Sequence, residues 1–233
     1  MATNQRISGA HSTARSTSDI RINYGNPRQI IAASNTWGGE KRAQAQFYSF
    51  DGGVTWGQTT LPLVHGDTTH FGPAVDWTSD GTAWALTTGH GSGNGIRCYK
   101  STDGGITWEF DSTVSGIQTD LCGALMWVDH SATSPHKDNI YAAWCDGYPW
   151  VDPNVSFVSR RAGPGGSWET PVQLNSGEDF FIPVNDITTN SAGDVFAFWG
   201  KAGNNVQNLY VSKSTDGGKS FATPTLIAAT IAD

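Results

Sequence analysis

The sequence contains no apolar run long enough to cross a bilayer, and only 15% of its 233 residues are charged. The first 12 residues are polar and lack the hydrophobic stretch of a signal peptide, so either the protein is cytoplasmic or a signal has been removed. Acidic residues outnumber basic ones by 21 to 14, which gives a net charge of −7. Because an acidic surface repels phosphate backbones and anionic lipids, we expect neither nucleic acid nor a membrane as a partner.

Long amphipathic helices are missing as well, whereas glycine and tryptophan are plentiful, with 28 and 10 residues. A high glycine content suits many short strands joined by tight turns, and the length fits one large all-β domain. Most of the tryptophans are then expected to be packing anchors.

One octapeptide occurs three times, and this repeat decides the predicted fold. It reads SFDGGVTW at 49–56, STDGGITW at 101–108 and STDGGKSF at 214–221, with a degenerate copy, GPGGSW, at 163–168. The closing aromatics are 52, 60 and 53 residues apart (56 to 108, 108 to 168, 168 to 221), a spacing typical of one four-stranded propeller blade. In such a hairpin turn Gly-Gly supplies positive φ and the aspartate accepts hydrogen bonds from turn amides. We therefore interpret Asp51, Asp103 and Asp216 as structural turn residues.

Four short strands, A to D, surround each copy of the octapeptide. The repeats cover roughly 17–62, 71–112, 121–175 and 182–228, so the chain is predicted to be a single all-β propeller domain with four visible antiparallel blades. Three arrangements remain open: a small four-bladed ring, part of a longer propeller, or a subunit completed by a copy of itself. An incomplete ring exposes a sheet face and unpaired strand edges, and we favour one of the two larger assemblies.

The octapeptide resembles the Asp box of sialidases and other BNR-repeat propellers, and the resemblance covers nearly the whole chain. It implies an extracellular protein and a six-bladed ring in catalytic members. Those members share an Arg-Ile-Pro motif, three arginines that clamp the sugar carboxylate, an aspartate acid/base and a Tyr–Glu nucleophile pair. Here Arg21 begins a partial motif without the proline, and Glu40 and Arg42 stand where the family places its acid and a second arginine. No Tyr–Glu pair can be assigned.

The strand order places the B–C loops and the loops between blades on the face opposite the Asp boxes, where propellers commonly bind ligands. The candidate ligand-binding residues on that face are Trp37, His70, His90, Asp146, Tyr148 and Trp150. Tyr148 and Trp150 could stack on a sugar ring or simply cover the end of a blade. We expect a non-catalytic propeller that binds a carbohydrate or a protein, or serves as an assembly module. The alternative is a sialidase-type glycoside hydrolase that further blades or a second subunit would complete.

No cofactor is expected, although a structural cation is possible at one place. Asp19 and Asp186 occupy equivalent inner-strand positions, where they could hold a cation such as calcium or accept hydrogen bonds from neighbouring strand amides. The run from His65 through Asp67 to His70 contains metal-ligand residue types, but a mixed polar loop is the commoner meaning of such a run.

Only three cysteines are present, so at least one is unpaired within the chain. Cys122 begins strand A and Cys145 ends strand B of the same blade, so the two could form a bridge if oxidised, which leaves Cys98 free. The count does not fix the cellular compartment, and the balance favours reduced, buried thiols.

Overall fold

The computed structural model describes residues 7–8, 14–147, 155–175, 181–203 and 206–231. Within these ranges the chain forms four antiparallel sheets of four strands each, and the predicted all-β propeller class is confirmed. Sheets 1 and 2 consist of β1 (Arg15–Ile22), β2 (Ile30–Thr36), β3 (Ala45–Ser49), β4 (Gly57–Thr60), β5 (Asp67–Trp77), β6 (Ala83–Gly91), β7 (Gly95–Ser101) and β8 (Glu109–Thr113). Sheets 3 and 4 consist of β9 (Leu121–Val128), β10 (Ile140–Asp146), β11 (Val155–Arg161), β12 (Val172–Gln173), β13 (Phe181–Thr189), β14 (Val195–Gly203), β15 (Val206–Ser214) and β16 (Thr225–Ile231). No helix in the described part of the chain is long and apolar enough to span a membrane.

The core lies between neighbouring sheets, and β10 shows why its strands are apolar on both faces. Ile140, Ala142 and Trp144 pack into the cluster shared with sheet 2, whereas Tyr141 and Ala143 pack into the cluster shared with sheet 4. Successive side chains of a strand point to opposite faces, so a strand covered on both sides must be apolar along its whole length.

The sheets follow one another in chain order. The inner strands β1, β5, β9 and β13 contact each other in succession, and no comparable contact joins sheet 4 to sheet 1 among the described residues. Large apolar side chains are exposed at both ends of the series: Ile20 and Ile22 on sheet 1, and Leu209, Leu226 and Ile227 on sheet 4. The described sheets therefore form an arc with two uncovered end faces.

The octapeptides form the β3–β4, β7–β8 and β15–β16 connections, at the same end of the arc as the β1–β2 and β5–β6 turns. Asp103 accepts hydrogen bonds from the amides of Ile106 and Thr107 (3.1 and 2.9 Å) and from the hydroxyls of Ser101 and Thr107 (2.7 and 2.6 Å). Asp51 and Asp216 accept the equivalent set. These carboxylates are fully engaged in holding their own turns, as structural turn residues are.

Glycine is required at one irregular point of β5. The pairing of β5 with β6 shifts between Phe71 and Ala74, and Gly72 between them has a φ of +65°. A Cβ at Gly72 would lie 3.1 Å from the amide nitrogen of Ala124 in β9. The bulge therefore lets β5 approach sheet 3 closely. The apolar pattern of the sequence suggests that the strand starts at Pro73, but β5 begins six residues earlier, at Asp67.

Candidate functional site

A cleft of about 480 Å³ opens at the end of the arc opposite the Asp boxes. Sheet 1 contributes its β2–β3 loop, sheet 2 the start of β5 and the end of β6, and sheet 3 the start of β9 and the end of β10. The lining residues are Arg42, Thr69, Phe71, Thr88, His90, Asn94, Asp120, Leu121, Cys122, Gly123 and Gly147.

An arginine stacked against two aromatic rings forms the first wall. The Arg42 guanidinium lies 5.7 Å from the ring centroid of Trp37 and 5.3 Å from that of Phe71. Phe71 in turn meets the His90 ring edge-on at 5.5 Å, and Trp37 is 40% exposed. Arg42 forms no ion pair with any carboxylate of the described residues, so its hydrogen-bond donors remain available to a ligand.

Backbone hydrogen bonds fix this arginine to sheet 2. The Arg42 amide donates to the carbonyl of Thr68, and the His70 amide donates to the carbonyl of Arg42, both at 2.9 Å. The β2–β3 loop thus forms a short parallel bridge with Thr69 of β5, which holds Arg42 at the cleft. Glu40, two residues earlier, is exposed and is absent from the lining.

The middle of the cleft offers two polar groups. The Thr88 side-chain oxygen is buried and has no hydrogen-bond partner among the described residues. Leaving a buried hydroxyl unpaired is costly, so a ligand or water that reached it would be stabilised. Burial lowers the pKa of His90, and the nearby Asp67 carboxylate opposes that effect only partly. His90 is therefore neutral at pH 7 and can donate through one ring nitrogen and accept through the other.

Opposite Arg42, two aspartates and a disulfide bridge form the wall that belongs to sheet 3 and is called the sheet-3 wall. Asp146 accepts a hydrogen bond from the Asp120 amide at 2.9 Å, and the Gly147 amide donates to the Asp120 carbonyl at 3.0 Å. The Asp120 side chain is exposed. The sulfurs of Cys122 and Cys145 are bonded, whereas Cys98 is buried and free. The structure thus contains the bridge instead of the reduced thiols that the cysteine count favoured.

Beneath the cleft lies a buried ion pair that the sequence did not reveal. Arg97 donates two hydrogen bonds of 2.9 Å to the Asp67 carboxylate and one of 2.6 Å to the Gly93 carbonyl. This pair fastens the glycine-rich β6–β7 loop that follows His90. A side-chain bond from Asn94 to the Thr119 carbonyl (2.8 Å) then ties the loop to the sheet-3 wall.

His70, which the sequence predicted as a ligand-binding residue, is not among the residues that line the cleft. Its ring is completely buried, accepts a long hydrogen bond from the Gln44 amide (3.4 Å) and lies 3.5 Å from the Tyr99 hydroxyl. Burial lowers the pKa of His70 to about 4, against the attraction of Asp67. Arg97 engages the Asp67 carboxylate, Asp67 and His70 are buried while His65 is exposed, and the described residues contain no cluster of three metal-ligating side chains.

Arg21 also lies far from the cleft. β1 begins at Arg15 on the cleft side, and a strand rises about 3.3 Å per residue, so Arg21 lies roughly 20 Å along the strand, near the β1–β2 turn. There its guanidinium pairs with Asp19 at 2.6 Å. It is therefore not a partner of Arg42, although the partial motif had suggested a shared sugar-binding role.

The inner-strand aspartates bind backbone amides. Asp19 accepts a hydrogen bond from the Val75 amide of β5 at 2.9 Å, and Asp76 accepts one from the Val128 amide of β9 at the same distance. Among the described residues, Asp186 accepts a hydrogen bond from the amide of its own neighbour Ile187 and from no other inner strand. Two aspartates thus link successive inner strands, which is the hydrogen-bonding alternative to a cation site.

Of the residues predicted for the ligand face, His90 lines the cleft, and Trp37 and Asp146 support its walls. Arg42, to which the family resemblance pointed, also lines the cleft. Tyr148 and Trp150 lie outside the described residues. Sequence reasoning missed Phe71, Thr88 and Asp120 as lining residues. Asp120 was visible in a loop between blades, but Phe71 and Thr88 fall within strands whose cleft ends are fixed by pairing and by the bulge at Gly72.

No protein-family model matches the sequence, and no curated protein matches it. Solved structures do resemble the fold. A protein of unknown function from Dyadobacter fermentans superposes with a TM-score of 0.66 at 16% identity, over 92% of this chain and 69% of its own. The Penicillium chrysogenum α-L-arabinanase complexed with arabinobiose gives 0.64 at 15% identity, over 91% and 72%. A leech intramolecular trans-sialidase complexed with 2,7-anhydro-Neu5Ac gives 0.71 at 10% identity, over 97% of this chain but 53% of that enzyme.

These likenesses establish the propeller fold and show that it is shared with glycoside hydrolases. The chain spans only about half the length of the leech enzyme.

Proposed function

We propose that the cleft binds a carbohydrate and that the chain does not hydrolyse it. The observation that carries this proposal is the stack of Trp37, Arg42 and Phe71 beside unpaired polar groups. The C–H face of a sugar ring packs well on an aromatic plane, and Arg42, Thr88, His90 and Asp120 offer both donors and acceptors to its hydroxyls. The volume, about 480 Å³, falls in the usual range for small-ligand sites.

The structural neighbours support a sugar as the ligand class. The Penicillium enzyme is described with arabinobiose and the leech enzyme with 2,7-anhydro-Neu5Ac. Because the identities are 10–16%, the neighbours suggest a class of ligand and leave the particular sugar open. A protein ligand or an assembly role is the alternative to a sugar on the same face.

The absence of a matched set of catalytic groups argues for binding without hydrolysis. Glycoside hydrolysis usually needs two carboxylates that flank the scissile bond. Among the described lining residues only Asp120 carries a carboxylate, because Asp146 stands behind it. A clamp of three arginines is also missing from the described cleft, since Arg97, Arg160 and Arg161 each pair with an acidic side chain elsewhere.

Titration calorimetry with arabinobiose and with 3′-sialyllactose tests the binding proposal. We expect heat of binding for at least one sugar and its loss in the Arg42→Ala and Phe71→Ala variants, because each change removes part of the stacked wall. Arg28→Ala is the matched control, since Arg28 is exposed in the turn at the opposite end of the arc and should leave affinity unchanged. Equal binding by all four proteins would contradict the assignment of the cleft.

A glycoside hydrolase is the second candidate, favoured by the juxtaposition of Asp120 and Asp146 in one wall. Release of sugar from arabinobiose and from a fluorogenic sialoside measures it directly. We expect no turnover at high protein concentration. Turnover that Asp120→Asn abolishes would overturn the non-catalytic proposal and assign Asp120 as an acid or base.

We propose an extracellular location for the protein. The Cys122–Cys145 bridge supports this proposal, because disulfides persist mainly in oxidising compartments.

A further inference from the structure

The disulfide bridge lies in the cleft wall and not in the core of a sheet. Cys122 lines the cleft and is half-buried, whereas Cys145 is completely buried behind it. The two residues face each other across β9 and β10 with their Cα atoms 5.2 Å apart. The bridge therefore joins the start of β9, which lines the cleft, to the end of β10, which lies behind it.

Strand pairing is irregular at this point. The β9–β10 register shifts between Ala143 and Cys145, which interrupts the ladder just before the cleft. Gly123 inside β9 and Gly147 just after β10 have φ values of +65° and +108°, conformations that glycine adopts most readily. The bulge at Gly123 separates the Cys122–Cys145 and Leu121–Asp146 pairs from the rest of the β9–β10 ladder.

Beyond the ladder pairs of Cys122 with Cys145 and of Leu121 with Asp146, two hydrogen bonds join the same chain ends. They are the bond from the Asp120 amide to the Asp146 carboxylate and the bond from the Gly147 amide to the Asp120 carbonyl. Both sulfurs also lie near the Gly147 carbonyl oxygen, at 3.7 and 3.8 Å. The bridge is thus the covalent link between β9 and β10 at the strand ends that hold Asp120 and Gly147.

We propose that the Cys122–Cys145 bridge positions the sheet-3 wall of the cleft, so that reducing the bridge releases Asp120 from Gly147 and weakens ligand binding. The claim that the bridge positions Asp120 stands on the structure of the wall, whereas the claim that reduction weakens binding rests on the proposed function. A dithiol such as dithiothreitol supplies the two electrons and two protons. Its thiolate attacks one bridge sulfur, the S–S bond breaks, both cysteines become thiols, and the reagent closes to a cyclic disulfide.

The state of the bridge is measured first, by titrating free thiols in the denatured chain before and after reduction. We expect one free thiol before reduction, from Cys98, and three afterwards. Three thiols in the untreated protein purified under oxidising conditions would overturn the proposal.

Amide hydrogen exchange then tests the positioning role without any ligand. We expect the Asp120 and Gly147 amides to exchange at least several-fold faster after reduction, while amides of β6 keep their protection. The Cys98→Ala variant is the matched control and should respond to the reductant as the wild type does. Unchanged exchange at Asp120 and Gly147 in the reduced protein would refute the positioning role.

Calorimetry with arabinobiose and 3′-sialyllactose on oxidised and reduced protein completes the test. Weaker binding after reduction supports the proposal, and equal binding contradicts it. If the oxidised protein binds neither sugar, the proposed function fails, whereas the exchange measurement still decides the role of the bridge. The double variant Cys122→Ser with Cys145→Ser should reproduce the reduced state in both measurements.

Discussion

Burial separates two histidines that are only 20 positions apart and look alike in the sequence. His90 reaches the cleft through its contact with Phe71, whereas His70 is enclosed by Gln44, Tyr99 and the Asp67–Arg97 pair. Both pKa values are lowered, chiefly by burial. Of the two, only His90 is placed to contact a ligand, whereas His70 makes the stability of the folded protein depend on pH.

The lowered pKa of His70 predicts a loss of stability in mild acid. The unfolded chain takes up a proton on this residue near pH 6.5, but the folded protein does so only near its pKa of about 4. The stabilisation is therefore complete above pH 6.5 and is lost as the pH falls to 4, by roughly 3 kcal/mol. Urea unfolding across this range measures it. His70→Gln should be less stable at pH 7 but show a shallower fall, and an unchanged slope would contradict this account.

The Asp-box carboxylates act within their own turns, so their removal should cost stability and not binding. Asp103→Ala removes the acceptor for two amides and two hydroxyls, and we expect a loss of about 1–2 kcal/mol because water can replace part of this hydrogen bonding. Glu109→Ala, at an exposed neighbouring position, is the control. Urea unfolding and sugar titration should separate the two effects, and lost affinity with normal stability would point to a functional role.

At the scale of elements, the β6–β7 loop gives the most direct test of how backbone packing shapes the cleft. A Cβ at Gly91 would lie 2.1 Å from the Gly66 carbonyl oxygen, whereas one at Gly93 would meet no atom within 4 Å. Gly91→Ala should therefore displace the loop and lower sugar affinity, and Gly93→Ala should not. Calorimetry and unfolding of both variants measure the difference. Similar behaviour of the two would show that the loop adapts freely.

The sheets themselves could be predicted because each follows from local signals. The octapeptides fixed the β3–β4, β7–β8 and β15–β16 turns, and alternation around them gave the neighbouring strands. The cleft could be predicted only in part. Strand order placed His90 on the ligand face and the family resemblance pointed to Arg42, but Phe71 depends on a bulge at Gly72 that no local pattern reveals. The partial motif at Arg21 carries no information about position along β1, and Arg21 lies at the end near the β1–β2 turn.

At the scale of the whole molecule, the two uncovered end faces are the main unexplained surface. Ile20 and Ile22 at one end and Leu209 at the other leave apolar area on these faces that water contacts. Between the sheets, the Asp19 and Asp76 carboxylates each accept an amide of the next inner strand, whereas Asp186 on the last sheet has no such strand beside it among the described residues. A further sheet would fit there.

Association between copies therefore remains our expectation for the isolated chain. Sedimentation velocity over a range of concentrations should show self-association that Leu209→Glu reduces, because Leu209 points away from the cluster shared with sheet 3 and a charge in the apolar end face opposes its burial. Lys219→Glu, an exposed substitution in the nearby turn, is the control for charge alone. A monomer at every concentration would show that the end faces of this chain do not pair with each other.

The repeated turns and the cleft occupy opposite ends of the same sheets. Residues that must stay similar for the blades to form are thus kept apart from residues that meet a ligand. Such a layout allows natural variation, or a protein engineer, to exchange loops at one end while the fold is maintained from the other.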